Sequence, residues 1–158
     1  FVAGPKEVIT YLMYNMRSQI YAKSLPMPLV VGALKRLDMM RNMPELRKKL
    51  WTITNALQNG LKARGFNIGN TQSPVTPVVL SGDTSEGTNL THDLRENFNI
   101  FCSVVAYPVI PKGMIILRLI PTAVHTLEDV EYTLNAFSQV KDKLDKGAYA
   151  TGSIVKVL

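Results

Sequence analysis

Cysteine is almost absent from this 158-residue chain. Cys102 is its single example, so no internal disulfide is available. Its place in the apolar run at residues 100–105 reads as a buried structural thiol in a reducing, cytoplasmic setting. Histidine is nearly as scarce. His92 and His125 have no Cys or His neighbours at ligand spacing, so no metal site is expected. His92 reads as an exposed helix residue, and His125 as a structural hydrogen-bonding group beside a helix start. No Gly-rich phosphate loop and no Gly-x-Ser-x-Gly elbow occurs. Aromatic residues make up 8% of the chain and do not interleave with the basic ones, as a single-strand nucleic-acid binder requires. No apolar run approaches the roughly 20 residues of a membrane-spanning helix, and no secretory leader is visible. From these residues alone a self-sufficient enzyme cannot be argued.

What is present is a globular composition with an uneven charge. Hydrophobic residues make up 46% of the chain and charged ones 19%, enough for one ordinary domain with a real core. Of the net charge of +6, the first 65 residues carry more than all, with eleven Lys/Arg against three Asp/Glu. Such asymmetry suits an anionic partner. However, the basic residues are spread along helical segments, as in Arg47-Lys48-Lys49, and read as solvated faces, so no nucleic-acid partner is expected.

Punctuation divides the chain. Phe1-Val2-Ala3-Gly4-Pro5 runs straight into a helical pattern (Val8, Ile9, Leu12, Met13, Met16, Ile20) and reads as a chain entered midway. Ser24-Leu25-Pro26-Met27-Pro28 breaks that helix. A long helical region follows from Leu29, interrupted near Asn42-Met43-Pro44, and the cluster Met39, Met40, Met43 reads as packing filler. Leu46, Leu50, Ile53, Leu57 and Leu61 then form one apolar stripe that stops at Gly65. Strands are expected at 76–80, 100–106 and 114–120, with a short helix at about 89–97. A last helix is capped by Thr126, with Glu128 and Asp129 in its first turn. Residues 146–153 read as the start of a mobile tail, and 154–158 as a possible edge strand. Together these predict a small α/β layer with helices on one face of the sheet.

One residue stands out. Arg118 interrupts the apolar strand Met114-Ile115-Ile116-Leu117-Arg118-Leu119-Ile120, between a Pro/Gly loop and a helix start. A guanidinium that loses hydration there needs a carboxylate, a phosphate or several carbonyls. Either an internal Asp/Glu or a ligand meets that need.

Three segments resemble the C-terminal part of the α-oxoamine synthases, fold-type I pyridoxal-phosphate (PLP) enzymes that join an amino acid to an acyl-CoA. Phe1-Val2-Ala3-Gly4 resembles the end of the family's Ser-x-Ser-Lys…Gly-Gly-(Phe/Tyr)-x-x-Gly motif. Arg17-Ser18-Gln19-Ile20-Tyr21-Ala22-Lys23-Ser24-Leu25-Pro26 resembles its Arg-Pro-x-(Ile/Leu)-Phe-Ser-x-Ser-Leu segment. The specific match is the stretch from Tyr107-Pro108-Val109-Ile110-Pro111-Lys112-Gly113 through Arg118 to Ala123-Val124-His125-Thr126. It is similar to Tyr-Pro-x-Val-Pro-x-Gly…Arg-(Ile/Leu)-Arg…Ala-Ala-His-Thr. The likeness covers nearly the whole chain except its tail.

The resemblance implies that residues 1–25 end a large PLP-binding domain, 26–145 form the small C-terminal domain with a mostly antiparallel sheet, and 146–158 are a flexible tail. It implies that Arg118 binds the substrate carboxylate; the family's earlier strand arginine is Ile116 here. Residues near Tyr21, Ala22 and Ser24 would approach the cofactor phosphate of a neighbouring subunit, Ala22 standing where a hydroxyl is common. Lys112 and Gly113 would border the path by which acyl-CoA enters. The family's Schiff-base lysine would precede Phe1, so no catalytic residue falls within this chain, which alone is expected to be inactive. The function implied is an acyl-CoA:amino-acid C-acyltransferase working as a homodimer, of the serine palmitoyltransferase or 2-amino-3-ketobutyrate CoA ligase kind; a role in sphingolipid synthesis follows from the first. A fold-type I aminotransferase and a non-catalytic carboxylate-binding module are the alternatives.

Overall fold

A computed structural model describes residues 2–150. Phe1 and the possible edge strand at 154–158 lie outside the described residues. The chain divides into two compact units, one running through Pro44 and the other starting at Glu45.

The first unit holds helices α1 (Lys6–Asn15), α2 (Arg17–Tyr21) and α3 (Met27–Asn42). The single helical pattern expected from Pro5 to Ile20 is divided at Met16, whose ψ of 99° is extended. Pro26 caps α3 with the extended geometry that a residue before a helix adopts. None of the three helices buries a residue, and Tyr11, Tyr14, Leu25, Met27 and Met40 are each at least 66% exposed. An apolar surface of that extent marks a unit that does not supply its own cover.

The second unit has a core of its own. Helix α4 (Pro44–Ala63) begins on the proline, as position N1 favours, and buries Ile53, Leu57 and Leu61 from its stripe. Gly65, at φ +76°, ends it; the Phe66 amide then donates back to the Leu61 carbonyl at 3.0 Å. Strand β1 (Thr76–Ser81) leads into helix α5 (Thr84–Phe98), which starts five residues earlier than expected. A capping box explains the extra turn: Asp83 accepts from the Glu86 amide and Glu86 accepts from the Asp83 amide. Strands β2 (Ser103–Val105) and β3 (Met114–Leu119) follow, then helix α6 (Leu127–Asp145), capped by Thr126 as expected.

The sheet is antiparallel throughout, in the order β1-β3-β2. Strand periodicity gives it two unlike faces. Leu117 and Leu119 of β3 pack with Val78 of β1 into one core with Leu90 and Leu94 of α5 and Phe137 of α6, and Ile115 is buried on the same face of the strand. Pro77, Val79, Ser103, Val105, Ile116 and Arg118 form the other face, and none of them is buried.

Two glycines set how closely the helices lie. A Cβ on Gly87 of α5 would stand 2.8 Å from Val104 Cγ2, and one on Gly60 of α4 would overlap Leu134 of α6. After α6 the chain turns back over α5. Within the stretch expected as tail, Tyr149 is buried, and its hydroxyl donates to Asp93 Oδ2 at 2.5 Å. Lys143 donates to the same oxygen at 2.7 Å and Asn97 to Oδ1 at 2.6 Å. Burial pushes the Asp93 carboxyl up, but the hydrogen bonds from Lys143, Tyr149 and Asn97 together hold it below its ordinary range. Burial, and then the bond to Asp93, push the Tyr149 phenol up.

Two outcomes follow. Gly60→Ala removes a glycine from mid-helix but overpacks Leu134, so it should lower stability by about 1–3 kcal/mol in denaturant melts. Unchanged stability would mean that α4 and α6 pack less closely. Asp93→Asn should destabilise at neutral pH. Because the folded carboxyl has the lower pKa, its contribution is full above the unfolded value near about 4 and is lost as pH falls through the folded one. The gap between wild type and variant should therefore narrow in melts taken from pH 5 down to pH 3; a gap that holds constant would contradict this.

Candidate functional site

The site begins with the alternation of β3. Because Leu117 and Leu119 point into the core, Arg118 must point out from the open face. β3 is the central strand, so Arg118 has a neighbour on each side, Pro77 of β1 and Ser103 of β2. Pro77 offers no polar side-chain atom. Ser103 does, and the Arg118 Nε–H donates to its Oγ at 3.1 Å. The guanidinium is exposed, which corrects the expectation that the apolar strand would strip its hydration: the flanking residues are apolar but lie on the opposite face. Among the described residues no carboxylate pairs with Arg118, whereas Arg64 meets Glu131 and Arg95 meets Glu96. The internal Asp/Glu partner left open by the sequence is thus not found there.

The other expected residues are distributed. Lys112 and Gly113 stand at the opposite end of β3 from Arg118, about 17 Å away along an extended strand. The Lys112 ammonium lies 5.0 Å from the centre of the exposed Tyr107 ring, and Gly113 turns with φ +83° as its carbonyl accepts from the Gly82 amide at 3.0 Å. Tyr21, Ala22 and Ser24 belong to the first unit. Tyr21 closes α2, Ala22 is its C-cap, and Lys23 takes the left-handed φ of 59° before Ser24. Tyr21 and Ser24 are exposed, and the Ser24 hydroxyl makes no hydrogen bond among the described residues.

Beyond Arg118 the chain runs through Pro121 to the start of α6. His125 Nδ1 accepts from the Thr122 amide at 2.9 Å, the structural bond that its position suggested. A cleft of about 360 Å³ lies here, lined among others by Leu57, Ile100, Leu119, His125, Val130 and Tyr132. It contains none of the six expected site residues. Arg118 stands instead on the open face of the sheet. A smaller hollow of about 190 Å³ is bordered by His92, Arg95 and Cys102. His92 is half-buried rather than exposed. Burial pushes the Cys102 thiol up to about 11, which fits a structural, unreactive cysteine. Sequence reasoning missed Ser103. Its signal was a hydroxyl inside an apolar run, and only strand register shows which residue it faces.

Comparison with known proteins adds the context. Residues 1–137 match the family described as aminotransferase class I and II. The chain is 61% identical over 149 residues to the cysteate-C-fatty acyltransferase of Capnocytophaga ochracea, covering 94% of this chain and 36% of that protein. It is 36% identical over 145 residues to the 8-amino-7-oxononanoate synthase of Exiguobacterium sibiricum, covering 92% of this chain and 37% of that one. Among solved structures it is similar to a serine palmitoyltransferase from S. paucimobilis holding a PLP–myriocin aldimine. The TM-score is 0.75, with 24% identity over 92% of this chain and 36% of the other. At that identity the likeness is one of fold. The chain thus spans little more than a third of the length of these relatives. No described helix is long and apolar enough to cross a membrane. With the motif match, the helix and strand order and these likenesses agreeing, the chain belongs to the aminotransferase class I and II family, and its likeness within that family is to the α-oxoamine synthases.

Proposed function

We propose that the chain is the C-terminal region of a PLP-dependent fatty acyltransferase acting on an amino acid, and that the amino acid is cysteate. The observation that carries this reading is the 61% identity with cysteate-C-fatty acyltransferase, well above the likeness to any serine-using relative described above. In the reaction, Cα of the amino acid loses its proton and attacks the thioester carbonyl of a fatty acyl-CoA. A carbon–carbon bond forms, the CoA thiolate leaves, the α-carboxylate departs as carbon dioxide, and a proton returns to Cα.

Arg118 is the residue we assign to binding. It is exposed, pairs with no carboxylate among the described residues and presents a planar fork that matches a carboxylate through two charge-assisted bonds. A substrate held this way keeps the scissile bond in one orientation, which is catalysis by positioning. For the cofactor, the exposed turn at Tyr21–Ser24 fits a phosphate in kind: a free hydroxyl on Ser24 beside backbone already turned by Lys23. We assign Tyr21, Ala22 and Ser24 to the phosphate of a neighbouring subunit in a homodimer, with Ala22 contributing backbone only. PLP, when bound, supplies the electron sink for a carbanion at Cα. Lys112 and Gly113 border the acyl-CoA path in this reading, and the enzyme works in the cytoplasm. Nitrogen transfer is the second reading, favoured by the family description itself.

Assays of the complete enzyme decide between these readings. Cysteate with a fatty acyl-CoA should give the acylated product with kcat/KM at least tenfold above that for serine. Amino transfer to an oxoacid without acyl-CoA would replace the proposal by the second reading. Arg118→Ala should lower kcat/KM for the amino acid by about a hundredfold, the scale of losing a charged bidentate pair; unchanged kinetics would remove Arg118 from the site. Lys112→Ala should raise KM for acyl-CoA severalfold and leave KM for cysteate alone. A change in cysteate KM instead would refute its placement.

A further inference from the structure

We propose that Ser103 is a positioning residue for Arg118, and that it selects which edge of the guanidinium receives the substrate carboxylate. The inference rests on the assignment of Arg118 made above. A guanidinium has two edges able to grip a carboxylate with two parallel bonds: the side edge made by Nε and one Nη, and the end made by both Nη atoms. In this structure the Nε–H is already donated to Ser103 Oγ at 3.1 Å. The side edge is therefore engaged, and the end of the fork is left to face outward.

The sheet makes this arrangement specific. Arg118 lies opposite Ser103 on β2 and Pro77 on β1 in the same row. A long side chain on a central strand can lean towards either neighbour. Pro77 has no side-chain acceptor, so of the two facing side chains only Ser103 draws the arginine to one side. Its hydroxyl keeps its own proton after accepting from Nε, so it adds no charge that would compete with a substrate anion. The next row of the open face, Val79–Ile116–Val105, is apolar and offers no alternative acceptor from a side chain. The position that corresponds to the family's earlier strand arginine is Ile116, so no second cation on this strand can take over the orientation. Arg118 depends on Ser103 for its aim.

The test compares Ser103→Ala, Ser103→Thr and Arg118→Ala in the complete enzyme loaded with PLP. Ser103→Ala should weaken cysteate binding, read as the dissociation constant from cofactor absorbance, by about three- to tenfold. KM for cysteate should rise in step, while KM for acyl-CoA and the thermal midpoint stay as in the wild type. Ser103→Thr, which retains the hydroxyl, should restore binding to within about twofold. Ser103→Ala combined with Arg118→Ala should be no worse than Arg118→Ala alone, because the serine acts only through the arginine. If Arg118→Ala weakens binding and Ser103→Ala does not, the positioning role is overturned while the carboxylate assignment stands. If neither variant alters binding, the assignment of Arg118 itself has failed. If Ser103→Ala lowers the thermal midpoint and every kinetic constant alike, and threonine rescues stability without binding, the serine is structural and the inference is wrong.

Discussion

The pleat of β3 is the constraint on which the second unit turns. Successive side chains of a strand leave on opposite faces, so one six-residue strand, Met114–Leu119, must serve two purposes at once. Ile115, Leu117 and Leu119 are at most 5% exposed and anchor the sheet on its helices. That anchoring forces Arg118 onto the open face and keeps it there: a one-residue slip in register would bury a guanidinium and expose three large apolar side chains. The hydrophobic core thus sets where the charge points. The central place of β3 adds a second restriction, since the strands on both sides fix the row in which Arg118 lies. The direction in which Arg118 points is inherited from packing.

Much of this architecture was readable from the residues, for reasons that can be stated. Helix α4 shows its stripe and its glycine stop; Thr126 and Asp129 show the start of α6; the Pro/Gly loop separates β2 from β3. These are local signals, each contained within a few consecutive residues. What was not readable is non-local. One local signal was passed over: the Asp83–Glu86 box marks the start of helix α5, five residues before the expected one. Tyr149 sits among small polar residues, and nothing near it in sequence announces Asp93, fifty-six positions away. Strand β2 was expected over seven residues and pairs over three, since pairing depends on what β3 offers and not on β propensity alone.

The candidate site divides along the same line. Arg118 was legible as an anomaly, one charge in an apolar strand, and the family motif gave it a role. A neighbouring apolar residue in sequence is not a neighbouring apolar surface when the two lie on opposite faces of a sheet, and the arginine is exposed. What sets it apart is that no carboxylate pairs with it among the described residues, not dehydration within this chain. Ser103 was legible only as an oddity, because a hydroxyl in a strand has many uses and register alone selects among them.

An arginine held at its Nε differs in kind from a charge placed at the same point. A lysine ammonium would attract the same carboxylate but leave it free to rotate, since its three donors define no plane. A free arginine defines a plane but can swing about its long stem. Fixing Nε on a neighbouring strand removes most of that swing, because the guanidinium plane is then tied to the sheet. A carboxylate docked on the remaining edge would have its own plane set in turn, and with it the direction of the bond from that carboxylate to Cα. Orientation that exists before the substrate arrives need not be established during the reaction, which is where positioning lowers a barrier. On this view the serine, the arginine and the core residues that hold the strand flat act as one device. Affinity resides in the charge, and direction resides in the sheet.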